Sequence, residues 1–418
     1  MRLLIVVWLV VQPFRAASAQ PPTPSKRLSF ADAVQQAVER NPTVRAAASA
    51  ILRAEGQIRI ARAATLLQVS GSATTTTLNT GVEFQGTTVT PQNSVQALIT
   101  ADMPVVAAAA WARRAQAEDQ RQVAELTVAD TKRQIAAATA DAYLTIVALR
   151  RVVDADVRAR DVAKAHFDLA TELEQRGSGS RLNALRAQQQ YSSIQTQLES
   201  SRIAVYRAQE ALGVLVGDNE PVDAGDEPAF DVPPDDARLE LFRTDLKLFA
   251  AEQSAAERVV RDSRRDWWPT VDAVFVPQTT YPSPFFVPAN SWQFQLRANV
   301  PMVDSGSRAG TRMQREAAAA QARETLAGAT LQAGSQVRAA RVAIASAERG
   351  LGSARAAAEQ AEQVVTITNI SFRAGAATNI EVIDAQRAAL DAETQAAVAQ
   401  DVLTRARFEL LNALGRFP

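Results

Sequence analysis

The sequence predicts a mainly α-helical chain with a small β part: long antiparallel helical hairpins, coiled-coil in their packing, that carry four amphipathic strands. Three observations predict it. The chain repeats itself with a period near 200 residues. Each copy contains about 70 residues of Ala-rich sequence without Pro. Each copy also contains a segment rich in Thr, Val, Gly and aromatics, which disfavours helix and favours strand.

Four landmarks carry the duplication. Asn41-Pro42-Thr43-Val44-Arg45 corresponds to Arg243-Thr244-Asp245-Leu246-Lys247 at an offset of 202, which also places Thr65 to Val69 on Trp267 to Val271. Met103-Pro104-Val105 matches Val300-Pro301-Met302 at 197, Leu185-Arg186-Ala187-Gln188 matches Ile383-Asp384-Ala385-Gln386 at 198, and Gly217 matches Gly415 at 198. Ala-rich helices align easily, so each match is weak. Their common order is what carries weight.

The first repeat spans 28–217. It opens with a helix over roughly Ser29 to Ala64, with Ser29 or Asp32 as its cap. A strand pair follows over 66–103, then a long helix over 105–176 and a return helix over 182–216. The second repeat, 236–418, has the same plan: a helix to about Asp266, a strand pair over 268–300, a long helix over 302–373 and a return helix over 379–414. Turn signals separate each helix pair, at Arg176-Gly177-Ser178-Gly179 and Arg373-Ala374-Gly375. Residues 218–235, rich in Pro, Gly and Asp, read as a linker. At 1.5 Å per residue each long helix reaches roughly 100 Å. Leu126, Ile135, Leu149, Val153 and Leu169 punctuate an Ala background that lets helices approach closely. The return helix covers about half of its long partner, so the remainder must pack on other helices or other chains.

The N-terminus reads as an export signal over 1–19. Arg2 supplies the positive start, Leu3 to Val11 an apolar run too short to span a bilayer, and Ala17-Ser18-Ala19 a small-residue cleavage site. Residues 20–27 read as a flexible mature start. Lys+Arg and Asp+Glu are both 45, so there is no basic excess to attract nucleic acid. Cys is absent, and His occurs once, at His166. Disulfides, thiolate metal sites and His-based catalytic clusters are thereby excluded within one chain, and no cofactor is expected. His166 itself reads as a helix-surface residue.

The strands point to a membrane. Trp292, Phe294, Leu296, Ala298 and Val300 alternate with Gln293, Gln295, Arg297 and Asn299. The repeat-related strand alternates in the same phase, with Val95, Ala97, Ile99, Ala101 and Met103 on one face and a lapse at Leu98 on the other. Trp292, Phe294, Leu296, Val95 and Ile99 are the expected lipid-facing residues. A transmembrane strand needs about 9–11 residues, apolar toward lipid and polar toward a lumen. Alternation by itself also fits a soluble hairpin half buried on a core. The aromatics Trp267, Trp268, Tyr281, Phe285, Phe286 and Trp292 favour an interfacial girdle. Four strands cannot close a barrel, and open sheet edges cannot face lipid. Insertion therefore demands several chains, and three would supply about twelve strands.

These residues resemble the TolC-like outer membrane factor family. Leu28 to Pro42 is similar to that family's start, and Phe372 to Gln386 to its second periplasmic turn and the helix that follows. The resemblance spans about residues 28 to 416. It implies a homotrimer in which a 12-stranded outer-membrane β-barrel continues into an α-barrel across the periplasm. It also implies passive export, opened at the helical tip by a periplasmic adaptor and an inner-membrane transporter of an efflux or type I secretion system. No catalysis is implied.

By the same resemblance, Glu381 and Asp384 occupy the places of the acidic rings around the periplasmic aperture. They are three apart and share a helix face, which is also what an ordinary solvated face looks like. The family's gate bonds an aromatic hydroxyl and an Arg beside the turn glycine to an Asp of the first half. Phe372, Ala377 and Asn183 stand in those places here, so Arg181 or Arg373 becomes a candidate for holding the tip. Gly177, Gly179 and Gly375 terminate helices and form the expected adaptor-contact surface. Two rival classes remain in the sequence alone. One is a periplasmic coiled-coil adaptor or similar exported binding protein, and the other an exported enzyme that works with carboxylates only.

Overall fold

The computed structural model describes residues 26–232 and 242–417. The first half runs β1 (Lys26–Leu28), α1 (Phe30–Arg40), α2 (Pro42–Ala63), β2 (Gln68–Thr77), β3 (Val82–Phe84), β4 (Thr87–Thr90), β5 (Asn93–Val106), α3 (Ala108–Gln175), α4 (Arg181–Val216) and β6 (Val222–Ala224). The second continues as α5 (Thr244–Asp262), a 3-10 turn (Ser263–Trp267), β7 (Thr270–Tyr281), β8 (Asn290–Asn299), α6 (Ser307–Arg373) and α7 (Asn379–Ala413). The export signal expected over 1–19, and residues 20–25 of the expected flexible start, lie outside the described residues.

The helix expected over 29–64 is two helices. Pro42 has no N–H to continue α1 and instead opens α2. Asn41 forms the joint: its Oδ1 accepts from the Thr43 N–H at 2.9 Å, and its Nδ2 donates to the Leu215 carbonyl at 2.9 Å. Ser29, not Asp32, is the cap of α1, and its hydroxyl accepts from the Asp32 N–H at 3.1 Å. The duplication is visible in these contacts. Arg243, at the place of Asn41, donates to the Ala413 carbonyl at 3.2 Å, as Asn41 does to Leu215. Gly217 and Gly415 both adopt left-handed φ, at 78° and 70°, where α4 and α7 end.

Two further segments differ from expectation. Residues 26–28 form a strand, and the expected linker contains another: β1 pairs in parallel with β6, with Leu28 opposite Ala224. Val222 and Ala224 are fully buried there. The apolar alternation of Val222 and Ala224 is short enough to be lost among the surrounding Pro, Gly and Asp. The second long helix begins at Ser307 rather than 302. Gly306 is left-handed, and the Asp304 carboxylate accepts from the N–H groups of Gly306 and Arg308 at 3.2 and 2.9 Å, which fixes a turn ahead of the helix.

The helices pack as two unequal hairpins. α3 pairs with α4, α6 pairs with α7, and α3 also packs on α7, joining the halves. The first part of α3 is covered instead by α2 and α5, tied by Gln116 to Asp262 at 3.1 Å and by Arg258 to Asp119. Large side chains concentrate where the helices cross the small sheet. Tyr143, Ile146, Leu212, Val216 and Val222 are buried together, next to Val34, Leu144, Phe408 and Phe417. Phe30 meets Tyr143 edge-on at 5.3 Å, and Phe408 meets Phe417 edge-on at 4.9 Å. Each fully buried side chain of this size contributes roughly 1.5–3 kcal/mol. Away from this girdle, Ala meets Ala at Ala170, Ala184 and Ala187, or sits beside larger side chains, as Ala347 does with Leu351 and Leu403, so the hairpins approach closely.

Candidate functional site: an amphipathic sheet and a helical tip

The two strand pairs join into one antiparallel sheet of order β2-β5-β7-β8. The register sets the faces. Val95 lies opposite Tyr281, Ala101 opposite Phe275 and Met103 opposite Ala273. Pro277 lies opposite Trp292, Phe275 opposite Phe294 and Ala273 opposite Leu296. Side chains in register share a face, so Val95, Ile99, Met103, Phe275, Trp292, Phe294 and Leu296 form one apolar surface. That surface is uncovered: Trp292, Phe294 and Leu296 are 68%, 59% and 66% exposed, and Val95 and Ile99 are exposed beside them. Among the described residues, no helix packs broadly on it.

The other face carries a row of polar side chains bonded to one another, with the apolar Leu98, Val274 and Val276 among them. Gln96 donates to Gln278 at 3.1 Å, Gln278 to Ser291 at 3.0 Å, and Gln295 to Gln293 at 3.0 Å. Asp272 and Arg297 are register partners on the same face. The outermost strands β2 and β8 each keep one unpaired edge. A contiguous exposed apolar face of this kind marks a membrane or partner contact. Between β2 and β5 a small hairpin, β3-β4, turns at Gln85 and Gly86 with φ of 50° and 80°. This is the positive-φ pair of a tight two-residue turn.

At the far end of the helices, α3 and α6 stop in the same way. Ser178 N–H bonds the Leu173 carbonyl at 3.0 Å and Gly177 N–H that of Glu174 at 2.9 Å. Ala376 and Gly375 repeat this onto Ser371 and Phe372 at 2.8 and 3.0 Å. Gly177 and Gly375 are left-handed, at 74° and 76°, completing two Schellman endings. Gly179 is needed for a different reason. A Cβ there would lie 2.8 Å from the Leu173 side chain.

Glu381 and Asp384 are both exposed on α7, just beyond the second turn. Glu381 has a structural duty as well: its carboxylate accepts from the Thr378 N–H at 2.6 Å, while its own N–H bonds the Thr378 hydroxyl at 3.4 Å. This capping box holds the Glu381 carboxyl below the usual carboxylate range, chiefly through the Thr378 N–H. Asn183 is half-buried in the first turn of α4, and Arg181 and Arg373 are exposed. Neither Arg forms an ion pair among the described residues of the chain.

The structure brings Phe372 to a residue the sequence placed on the surface. His166 is buried, not surface-exposed, at 4% accessibility. Its Nε2 lies 2.8 Å from Asn379 Oδ1, and Phe372 meets the imidazole edge-on at 5.3 Å. The signal was present in the spacing: Ala163, His166 and Ala170 lie three and four residues apart, and all three are buried on one face of α3. A lone His read by residue type missed it. Glutamine 386 was also missed as a buried group. It is 5% exposed and has no partner at either amide atom. Among the described residues there is no cluster of metal-ligating side chains, and no helix is long and apolar enough to cross a membrane.

The sequence profile of outer membrane efflux proteins matches residues 33–218 and 238–416, nearly the whole described chain and both repeats. The chain belongs to the outer membrane efflux protein family. Solved structures carry the same fold. The outer membrane protein VceC from Vibrio cholerae superposes with a TM-score of 0.79 at 18% identity, over 92% of this chain and 96% of that one. A membrane protein from Pseudomonas aeruginosa gives 0.82 at 18%, over 93% and 91%. The Campylobacter jejuni CmeC outer membrane channel gives 0.81 at 15%, over 100% and 94%. None of the curated proteins matches the chain. As a member of this family the chain is a TolC-like outer membrane efflux protein, mainly helical with a small sheet.

Proposed function

We propose that three copies of this chain pool their sheets into a closed 12-stranded barrel in the outer membrane, continued by the helical hairpins as a tunnel across the periplasm. The observation that carries this reading is the sheet. Its exposed apolar face suits lipid, its self-bonded polar face suits a water-filled lumen, and its two free edges need partners before lipid can tolerate them. In the trimer β8 of one copy pairs with β2 of the next, which leaves no edge. Substrates then move by passive passage, and the chain performs no bond chemistry.

The tip turns around Gly177, Gly179 and Gly375 are the surface that a periplasmic adaptor grips, and an inner-membrane transporter supplies the cargo. Glu381 and Asp384 line the aperture there, three copies of each making a constriction that attracts cations. The test uses purified trimer in planar bilayers. Glu381→Gln/Asp384→Asn is expected to lower cation selectivity with the tip still folded, because Gln serves in a capping box as Glu does. Unchanged selectivity removes both residues from the aperture. Absence of a heat-sensitive trimer from the outer-membrane fraction removes the channel reading itself.

A further inference from the structure

We propose that His166 is a pH-sensitive latch that holds the second helical hairpin against the first near the tip, with Asn379 as its catch. The proposal rests on the tip being the gate of the channel proposed above. It goes further by naming what holds the two hairpins together and what releases them.

The geometry is a crossing of three helices. From α3 of the first hairpin, His166 Nε2 reaches Asn379 Oδ1 at 2.8 Å, and Asn379 is the first residue of α7. Phe372, in the last turn of α6, closes on the same ring edge-on at 5.3 Å. One imidazole of the first hairpin therefore touches both helices of the second. His166 and Asn379 are 4% and 3% exposed, so water does not compete for the bond. As Oδ1 accepts, Nε2 carries the proton and Nδ1 is bare. Nδ1 has no partner in the seam, and neither does Asn379 Nδ2.

Acid is the natural disruptor of such a contact. Protonation would place a charge and an unanswered N–H on Nδ1 in a site that excludes water. Burial lowers the His166 pKa below its usual value, and the Asn379 bond opposes this only in part. The ionisable groups on the neighbouring turns are Lys164 and Asp168 on α3, Arg181 and Arg186 on α4, Arg373 on α6, and Glu381 and Asp384 on α7. Lys164 and Asp168 pair with each other at 3.6 Å, and Glu381 is held by Thr378. None of them is among the influences on the imidazole. The closed seam thus binds fewer protons than an opened one. Its closure is favoured in full above the pKa of an exposed imidazole and weakens as pH falls from there toward the lowered value. The contact stands apart from the hydroxyl–Asp lock that Phe372 and Asn183 cannot form.

The chain has no Cys and a single His, which makes a clean test. Spin labels on Gln175→Cys and Ala376→Cys, exposed at the two tip turns, report the separation of the two hairpins there. The labelled trimer is expected to show a longer, broader distance distribution at about pH 5 than at about pH 7.5. His166→Gln should abolish this dependence. Asn379→Asp, which sets a carboxylate beside the imidazole and so lets the closed seam keep the proton, should shrink or abolish the acid-driven lengthening. No distance change in the parent protein, or an equal change in His166→Gln, overturns the latch. A pore that conducts while the distance stays fixed sinks the latch alone. A distance that moves with pH in a protein that forms no pore sinks the channel reading, and with it the gate role, and leaves only a pH-sensitive contact between the hairpins.

Discussion

Replacing Phe294 with Lys puts the membrane assignment at risk in one residue. Phe294 is the fifth of the ten residues of β8, is 59% exposed, and lies opposite Phe275 on the apolar face. Ten residues of strand span about 33 Å. With a tilt near 40° that brings Phe294 close to the middle of an apolar band about 25 Å tall. A Lys at that depth costs about 2–4 kcal/mol per copy, and so about 6–12 kcal/mol for three copies in one barrel. That is comparable to the whole stability of an ordinary domain. The next residue is the control. Gln295 lies on the opposite face, bonded to Gln293 and two positions from Arg297, where charge is already tolerated. Gln295→Lys should cost less than about 1 kcal/mol, as an exposed polar exchange does. The assay compares outer-membrane yield and the dissociation temperature of the trimer band. Phe294→Lys should lose the trimer and Gln295→Lys should keep it. Equal behaviour of the two variants, or the reverse order, refutes the assignment of faces and with it the barrel.

Other outcomes follow from the packing. Gly415→Ala should lower the thermal unfolding temperature by an amount equivalent to about 2–5 kcal/mol, because a Cβ there adds left-handed strain to a 2.7 Å approach to the Phe242 backbone. Gly375→Ala, whose Cβ would meet open space, should cost about 1–2 kcal/mol. Tyr143→Phe removes the hydroxyl that accepts from the Gly225 and Asp226 N–H groups at 3.0 Å each, and thermal unfolding should register a loss of about 1–3 kcal/mol. Burial pushes the Tyr143 phenol up to about 12. Because a raised pKa favours the folded state only while the proton stays on, that contribution is full below pH 10 and is lost between pH 10 and about 12. Alkaline titration of Tyr143→Phe should lack this step.

Local pattern was enough for much of this chain. The lengths of α3 and α6, the glycine endings at 177 and 375, and the alternation of Trp292, Phe294 and Leu296 depend on residues a few positions apart. A period of 3.6 or 2 or a left-handed glycine can be read without knowing the fold, although the helix expected over 29–64 runs through Pro42, where the missing N–H ends α1. The duplication was legible for the same reason, since it is a comparison of two local patterns.

What the tertiary structure decided are the meetings of distant segments. That β5 pairs with β7 and merges two hairpins into one sheet depends on residues about 180 positions apart, such as Val95 and Tyr281. That Val222 to Ala224 is a strand depends on Lys26 to Leu28 arriving beside it. That His166 is a buried bridge rather than a surface residue depends on Asn379 and Phe372, more than two hundred positions away, crossing α3 at that turn. An imidazole or an amide is equally at home in water or in a bonded interior. Its own type therefore carries no preference, and the partner that folding brings to it decides.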